Sequence, residues 1–150
     1  MQKYFISNSE EETSRIANKL ALVAKKGDVF ALYGTLGMGK SVFARSFIQS
    51  LTSVEDVPSP TFTLVQDYQA KDFDIFHFDL YRLEHHDEVF ELGFEEAIYN
   101  GVCLIEWPEK AGNWLPKDIF RIDITPSEDG RLITINTSSY EKQKRLEKIK

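Results

Sequence analysis

One cysteine in 150 residues leaves nothing to pair within the chain, so a disulfide-stapled scaffold is excluded and a reducing compartment suits the protein. No apolar run approaches the length of a membrane span, and the opening MQKYFISNSEEE lacks the apolar core of a signal peptide. The expectation is a cytoplasmic protein with no membrane contact. Positive charge is also scarce: the net charge is −6, and five of the 18 Lys and Arg fall in the last twelve residues against two Glu. The body before that tail is therefore more acidic than the whole, which argues against direct binding of nucleic acid through its phosphates. If RNA is involved, another protein holds it. What remains, with 42% apolar residues, is a chain able to bury a core of its own.

Glycine is sparse too, at eight residues, yet three of them crowd into ALYGTLGMGKSVFARSF. Ordered glycine costs backbone entropy, so the crowding needs a cause. Gly34-Thr-Leu-Gly-Met-Gly39-Lys40-Ser41 matches G-x-x-x-x-G-K-[ST], the phosphate-binding loop. An apolar stretch, DVFALY, precedes it as a buried strand, and Phe43, Phe47 and Leu51 with Ala44 and Ile48 make a helix face after it. In such a loop the backbone N–H groups and the helix N-terminus surround a polyphosphate. Gly34, Leu36, Gly37, Met38 and Gly39 are the cradle, Lys40 reaches the β- and γ-phosphates of ATP, and the Ser41 hydroxyl ligates Mg²⁺.

Elsewhere, Ser9 and Glu12 have capping-box spacing ahead of a helical Ile16, Leu20, Val23 pattern, with Gly27 a helix stop. TFTLVQDY and FDIFHFDLY read as an antiparallel hairpin, EHHDEVFELGFEEAIYNG as mostly helical, VCLIEW as a buried strand, and IFRIDIT with LITINT as a last strand pair. The order implies a P-loop NTPase fold: three-layer α/β/α with a mixed, partly antiparallel sheet. Residues 1–138 form one domain. Residues 139–150 are a basic tail expected to fray, since Leu146 and Ile149 alone would anchor it. Mg²⁺ needs a second carboxylate at a strand end, and Asp79 and Glu106 both qualify. VCLIE is the more continuous apolar run, while DIFHFD alternates as a half-exposed strand would, so the pattern favours Glu106.

With GTLGMGKS, SPTFTLV, HFDLYRL, ELGFEE and LIEWPE in that order, and SEEET before them, the chain resembles the bacterial TsaE (YjeE) family from about Ser9 to Leu115. The resemblance implies an ATPase of tRNA threonylcarbamoyladenosine (t6A) synthesis acting with the TsaD and TsaB proteins, which would hold the tRNA. It implies ATP at Gly37 to Ser41, and Mg²⁺ on Ser41 and Glu106. Asp79 would order a water near the γ-phosphate, and Thr61 would belong to a switch segment sensing that phosphate. Thr13 would lie near the adenine, and Trp107 would form a lid. Where the family usually reads G-D-L-G-A-G-K-T, this chain has Thr35, Met38 and Ser41. Serine keeps the hydroxyl ligand, and Thr35 removes a negative charge, so nucleotide binding should survive with altered kinetics.

Two other functions share the loop. A small-molecule kinase needs an acceptor pocket and usually an arginine-bearing lid, and the sequence offers no arginine cluster. A nucleotide switch that never hydrolyses needs only the binding half of the site. Arg82 could approach the phosphates or make a surface salt bridge, so slow hydrolysis alone and faster turnover with partners are expected. Cys103 and Trp114 read as packing, His77 as a core histidine near the site, and His85-His86 as a solvated face.

Overall fold

The structure is a computed structural model and describes residues 2–35, 37–61, 63–128 and 130–149. Among them lie strands β1 (Gln2–Ser7), β2 (Val29–Tyr33), β3 (Val65–Gln69), β4 (Asp74–Asp79), β5 (Gly101–Glu106), β6 (Phe120–Ser127) and β7 (Gly130–Asn136). They form one mixed sheet in the order β1-β7-β6-β2-β5-β4-β3. The central strands β6, β2, β5 and β4 run parallel, and antiparallel partners close both edges. Helices α1 (Glu10–Ala21), α2 (Lys40–Leu51) and α5 (Tyr140–Glu147) cover one face. The short α3 (Glu88–Glu91), α4 (Phe94–Asn100) and a 3₁₀ segment (Pro108–Trp114) cover the other. Alternation along the strands decides the split: Phe30, Val102 and Leu104 point to the first cluster, and Val29, Cys103 and Ile105 to the second. No described helix is long and apolar enough to cross a membrane.

Local chemistry sets the element ends. The Ser9 hydroxyl accepts the Glu12 N–H and the Glu12 carboxylate accepts the Asn8 N–H, so α1 starts where the capping spacing puts it. It ends at Ala21 rather than near Gly27, which lies in the turn into β2 and donates its N–H to the Gly101 carbonyl. Helix α2 is pinned by aromatic rings: Phe30 stacks on Phe120 at 4.8 Å and meets Phe47 of α2 at 4.9 Å. Removing the Phe47 ring would cost about 3–5 kcal/mol and loosen the helix whose first residue is Lys40.

Three expectations are corrected. β4 forms the expected antiparallel hairpin with β3 but is not half-exposed: it also pairs with β5 in parallel, and Ile75, His77 and Phe78 are buried. Strand β1, absent from the sequence reading, pairs with β7 along its whole length. The tail does not fray. α5 docks with Leu146, Ile149 and even Arg145 buried. Arg145 makes a two-pronged bond to the buried Asp28, and Lys3 donates to the carbonyls of Leu146 and Ile149.

Candidate active site

A cleft of about 680 Å³ opens at the carboxyl ends of β2, β4 and β5, beside the glycine loop. In open parallel sheets this edge is where ligands bind. One wall is the loop: Gly37, Met38, Gly39, Lys40 and Ser41 all line it. Gly37 and Gly39 have φ of +83° and +96°, and an added Cβ would meet no atom within 4 Å at either. Glycine is needed there for the backbone turn, because a side chain would strain the left-handed conformation. Gly34 lies outside the lining, backed onto the Ile124 carbonyl of β6. Leu36 falls outside the described residues.

Lys40 opens α2 and is 5% exposed, and its Nζ has no hydrogen-bond partner. The ammonium sits 3.7 Å from the centroid of the Trp107 ring. Burial lowers its pKa below the ordinary lysine value, and the carboxylates of Glu106, Glu109 and Asp79 push back less strongly. A buried cation with donors unspent is costly unless something anionic comes to it. Trp107 holds φ +57° just after β5, and its ring meets Tyr81 at 4.9 Å. The expected lid residue is thus a wall of the cleft resting on Lys40.

Two acids also line the cleft. Asp79 and Glu106 end adjacent parallel strands in direct register, and both are buried. Asp79 accepts the Thr61 hydroxyl at 3.0 Å and the Tyr81 N–H at 3.1 Å, and Thr61 is 2.7 Å from the Ser59 hydroxyl. Glu106 Oε2 lies 2.7 Å from His77 Nε2. Ser41, Asp79 and Glu106 give an oxygen-only donor set of the kind that magnesium takes, and two carboxylates facing a phosphate would repel it without such a cation. The residues therefore fit the ion. Thr13 also lines the cleft, and its hydroxyl is 2.6 Å from that of Ser7.

The sequence reading missed Ser7, Asn8, Tyr81 and Arg131, all of which line the cleft. Arg131 Nη2 donates to the Gly37 carbonyl at 3.2 Å across 94 positions of sequence, a contact without any local signal. Arg45 and Arg82 do not line the cleft. Cys103 is buried and burial pushes its thiol up to about 12, which leaves it unreactive. His85 and His86 are exposed beside Asp87, whose carboxylate accepts the Trp114 indole N–H.

The fold and cleft define a class: a mixed α/β protein whose site lies between a glycine loop and two carboxylates at parallel strand ends. Comparison with known proteins narrows it. Residues 7–133 match the family model "Threonylcarbamoyl adenosine biosynthesis protein TsaE", and the chain belongs to that family. It is 41% identical over 138 residues to the tRNA threonylcarbamoyladenosine biosynthesis protein TsaE of Rickettsia felis, covering 91% of this chain and 81% of that one. The Bacillus subtilis TsaE is 40% identical over 126 residues, covering 83% and 78%. The crystal structure of Bacillus subtilis YdiB superposes with a TM-score of 0.79 at 30% identity, over 98% of this chain and 91% of that one.

Proposed function

We propose that this protein is a P-loop NTPase that binds Mg-ATP in the cleft and hydrolyses it in the synthesis of threonylcarbamoyladenosine on tRNA. The observation that carries the reading is the buried, unpartnered Lys40 ammonium at the end of a glycine loop, facing a pair of buried carboxylates. Lys40 meets the β- and γ-phosphates, and the amides of Gly37 to Ser41 surround them. Thr13, Ser7 and Asn8 also line the cleft and take the nucleoside. Asp79, held from both sides by Thr61 and the Tyr81 amide, orients the attacking water. Thr61 links the Ser59–Thr61 loop to that water, so loop position and γ-phosphate are read together. Ser41 and Glu106 would hold magnesium, which when bound neutralises charge on the phosphate oxygens. Trp107 and Tyr81 shield the Lys40 end from water.

Among the described residues lining the cleft, the arginine is Arg131, already committed to the Gly37 carbonyl. Hydrolysis by the protein alone is therefore slow, and partners complete the charge neutralisation. TsaB and TsaD fill that role. The acidic body suits a basic protein surface better than RNA, so tRNA is reached through them, in the cytoplasm. The test is phosphate release from ATP, with and without TsaB–TsaD and tRNA. Turnover should rise when they are present, vanish with EDTA, and fall about 10²–10³-fold in Lys40→Ala. Turnover that survives Lys40→Ala would sink the reading, and ATP binding without phosphate release under any condition would make the protein a switch.

A further inference from the structure

Among the described residues, His77 is a buried polar side chain beside the cleft that this mechanism leaves without work. It sits in the middle of β4 between Phe76 and Phe78, with a side chain 3% exposed, and does not line the cleft. Its Nε2 lies 2.7 Å from Glu106 Oε2 on the neighbouring strand, and its Nδ1 is buried with no partner at all. Packing alone does not explain this choice. Phenylalanine or leucine would fill the same space in an apolar layer without stranding a polar nitrogen. The half-satisfied ring is retained for the bond that it does make.

We infer that His77 is a positioning residue for Glu106: its Nε2–H fixes one carboxylate oxygen and thereby sets the direction in which the other faces the cleft. The inference rests on the proposed role of Glu106 toward magnesium. The geometry supports it in two ways. A carboxylate opposite Nε2 can only accept, so the ring must donate from that atom. And β4 and β5 are locked by six consecutive register pairs, from Asp74↔Gly101 to Asp79↔Glu106, so the ring and the carboxylate cannot drift apart. Free rotation of an unheld glutamate would have to be frozen each time a cation bound. A hydrogen bond already in place removes that cost.

The test uses the full chain loaded with ADP and Mn²⁺, with bound Mn²⁺ read by electron paramagnetic resonance and ADP affinity measured separately in EDTA. In His77→Phe the Mn²⁺ affinity should fall about 10–100-fold while metal-free ADP affinity stays within about twofold. His77→Gln, whose amide can reach Glu106, should recover most of the loss. Glu106→Gln should lose at least as much as His77→Phe, and adding His77→Phe to Glu106→Gln should lower the affinity no further. If His77→Phe does not fold, His77→Asn, too short to reach but still polar, should show the same fall. A metal-free readout is the ¹⁵N spectrum of His77, expected to show protonated Nε2 and to shift in Glu106→Gln. Unchanged Mn²⁺ affinity in His77→Phe, with Glu106→Gln impaired, overturns this inference and leaves the proposed function standing. A wild-type protein that holds no Mn²⁺ with ADP overturns both.

Discussion

The two ends of strand β2 handle buried charge in opposite ways. Before its first residue, Asp28 is 3% exposed and fully answered: it accepts the Lys25 N–H at 2.8 Å and the Arg145 guanidinium at 2.5 and 2.8 Å. Lys142 stands 3.9 Å away and reaches on to Asp118. After its last residue comes the loop to Lys40, equally buried and with no hydrogen bond. Low dielectric makes both arrangements consequential: a satisfied buried network rigidifies a fold, and an unsatisfied buried charge is costly. One strand thus carries a fastened end and a candidate-site end. The N-terminal end fastens α5 across 117 residues of sequence, and the C-terminal end holds charge in reserve.

That contrast can be broken by removing a cation from each end. Arg145→Ala strands a buried carboxylate and should cost about 3–5 kcal/mol, read as a lower urea midpoint. Arg145→Met combined with Asp28→Asn should recover much of the loss, since no charge is then left alone. Lys40→Met should do the reverse and stabilise the ligand-free protein. Trp107 returns up to about 2 kcal/mol to the ammonium, less than the several that its burial costs, so a net gain of about 1 kcal/mol is expected. The gain has a pH signature. Because burial lowers the Lys40 pKa, the folded protein sheds this proton before the unfolded chain does. Wild-type stability therefore rises relative to Lys40→Met as pH climbs through the folded value toward 10.5. A destabilised Lys40→Met protein at pH 7 would mean that the two ends are alike.

The candidate-site end was far more legible in the sequence than the fastened end, and for a physical reason. A phosphate loop is a local device: its glycines, lysine and serine are contiguous, so spacing alone exposes it. Glu106 was legible because β5 is buried on both faces and reads as an unbroken apolar run. The fastening of α5 has no such pattern. Arg145 looks like one more solvated base in a basic tail until the fold brings Asp28 to it, and Lys3 anchors the same helix from the far terminus. β1 was hidden because its outward residues, Tyr4 and Ile6, stay exposed, which blurs the alternation that marks a half-buried strand. DIFHFD misled in a similar way: Asp74 lies at the exposed start, and the polar His77 is buried because Glu106 answers it. Sequence spacing records neighbours along the chain, and these pairs become neighbours only once the chain has folded.

The gentlest probe stays inside the Asp28 network. Glu141 accepts Arg145 Nε at 2.7 Å and Nη2 at 2.9 Å one turn earlier on α5, yet its side chain is 58% exposed. Burial works to lower the Arg145 pKa, and the bonds to Asp28 and Glu141 outweigh it, so the guanidinium stays charged at every working pH. For Glu141 the Arg145 bond is the main influence and holds its pKa below the ordinary 4.5. A depressed carboxylate contributes stability above its unfolded value and loses it as pH falls through the folded one. Glu141→Gln should therefore cost only about 0.5 kcal/mol at pH 7, as exposed pairs do, and the difference from wild type should close below pH 4.5. Urea titrations of both proteins between pH 7 and pH 3 check this. A cost as large as that of Arg145→Ala, or one that persists unchanged into acid, would show that Asp28 is not the residue on which this end of β2 relies.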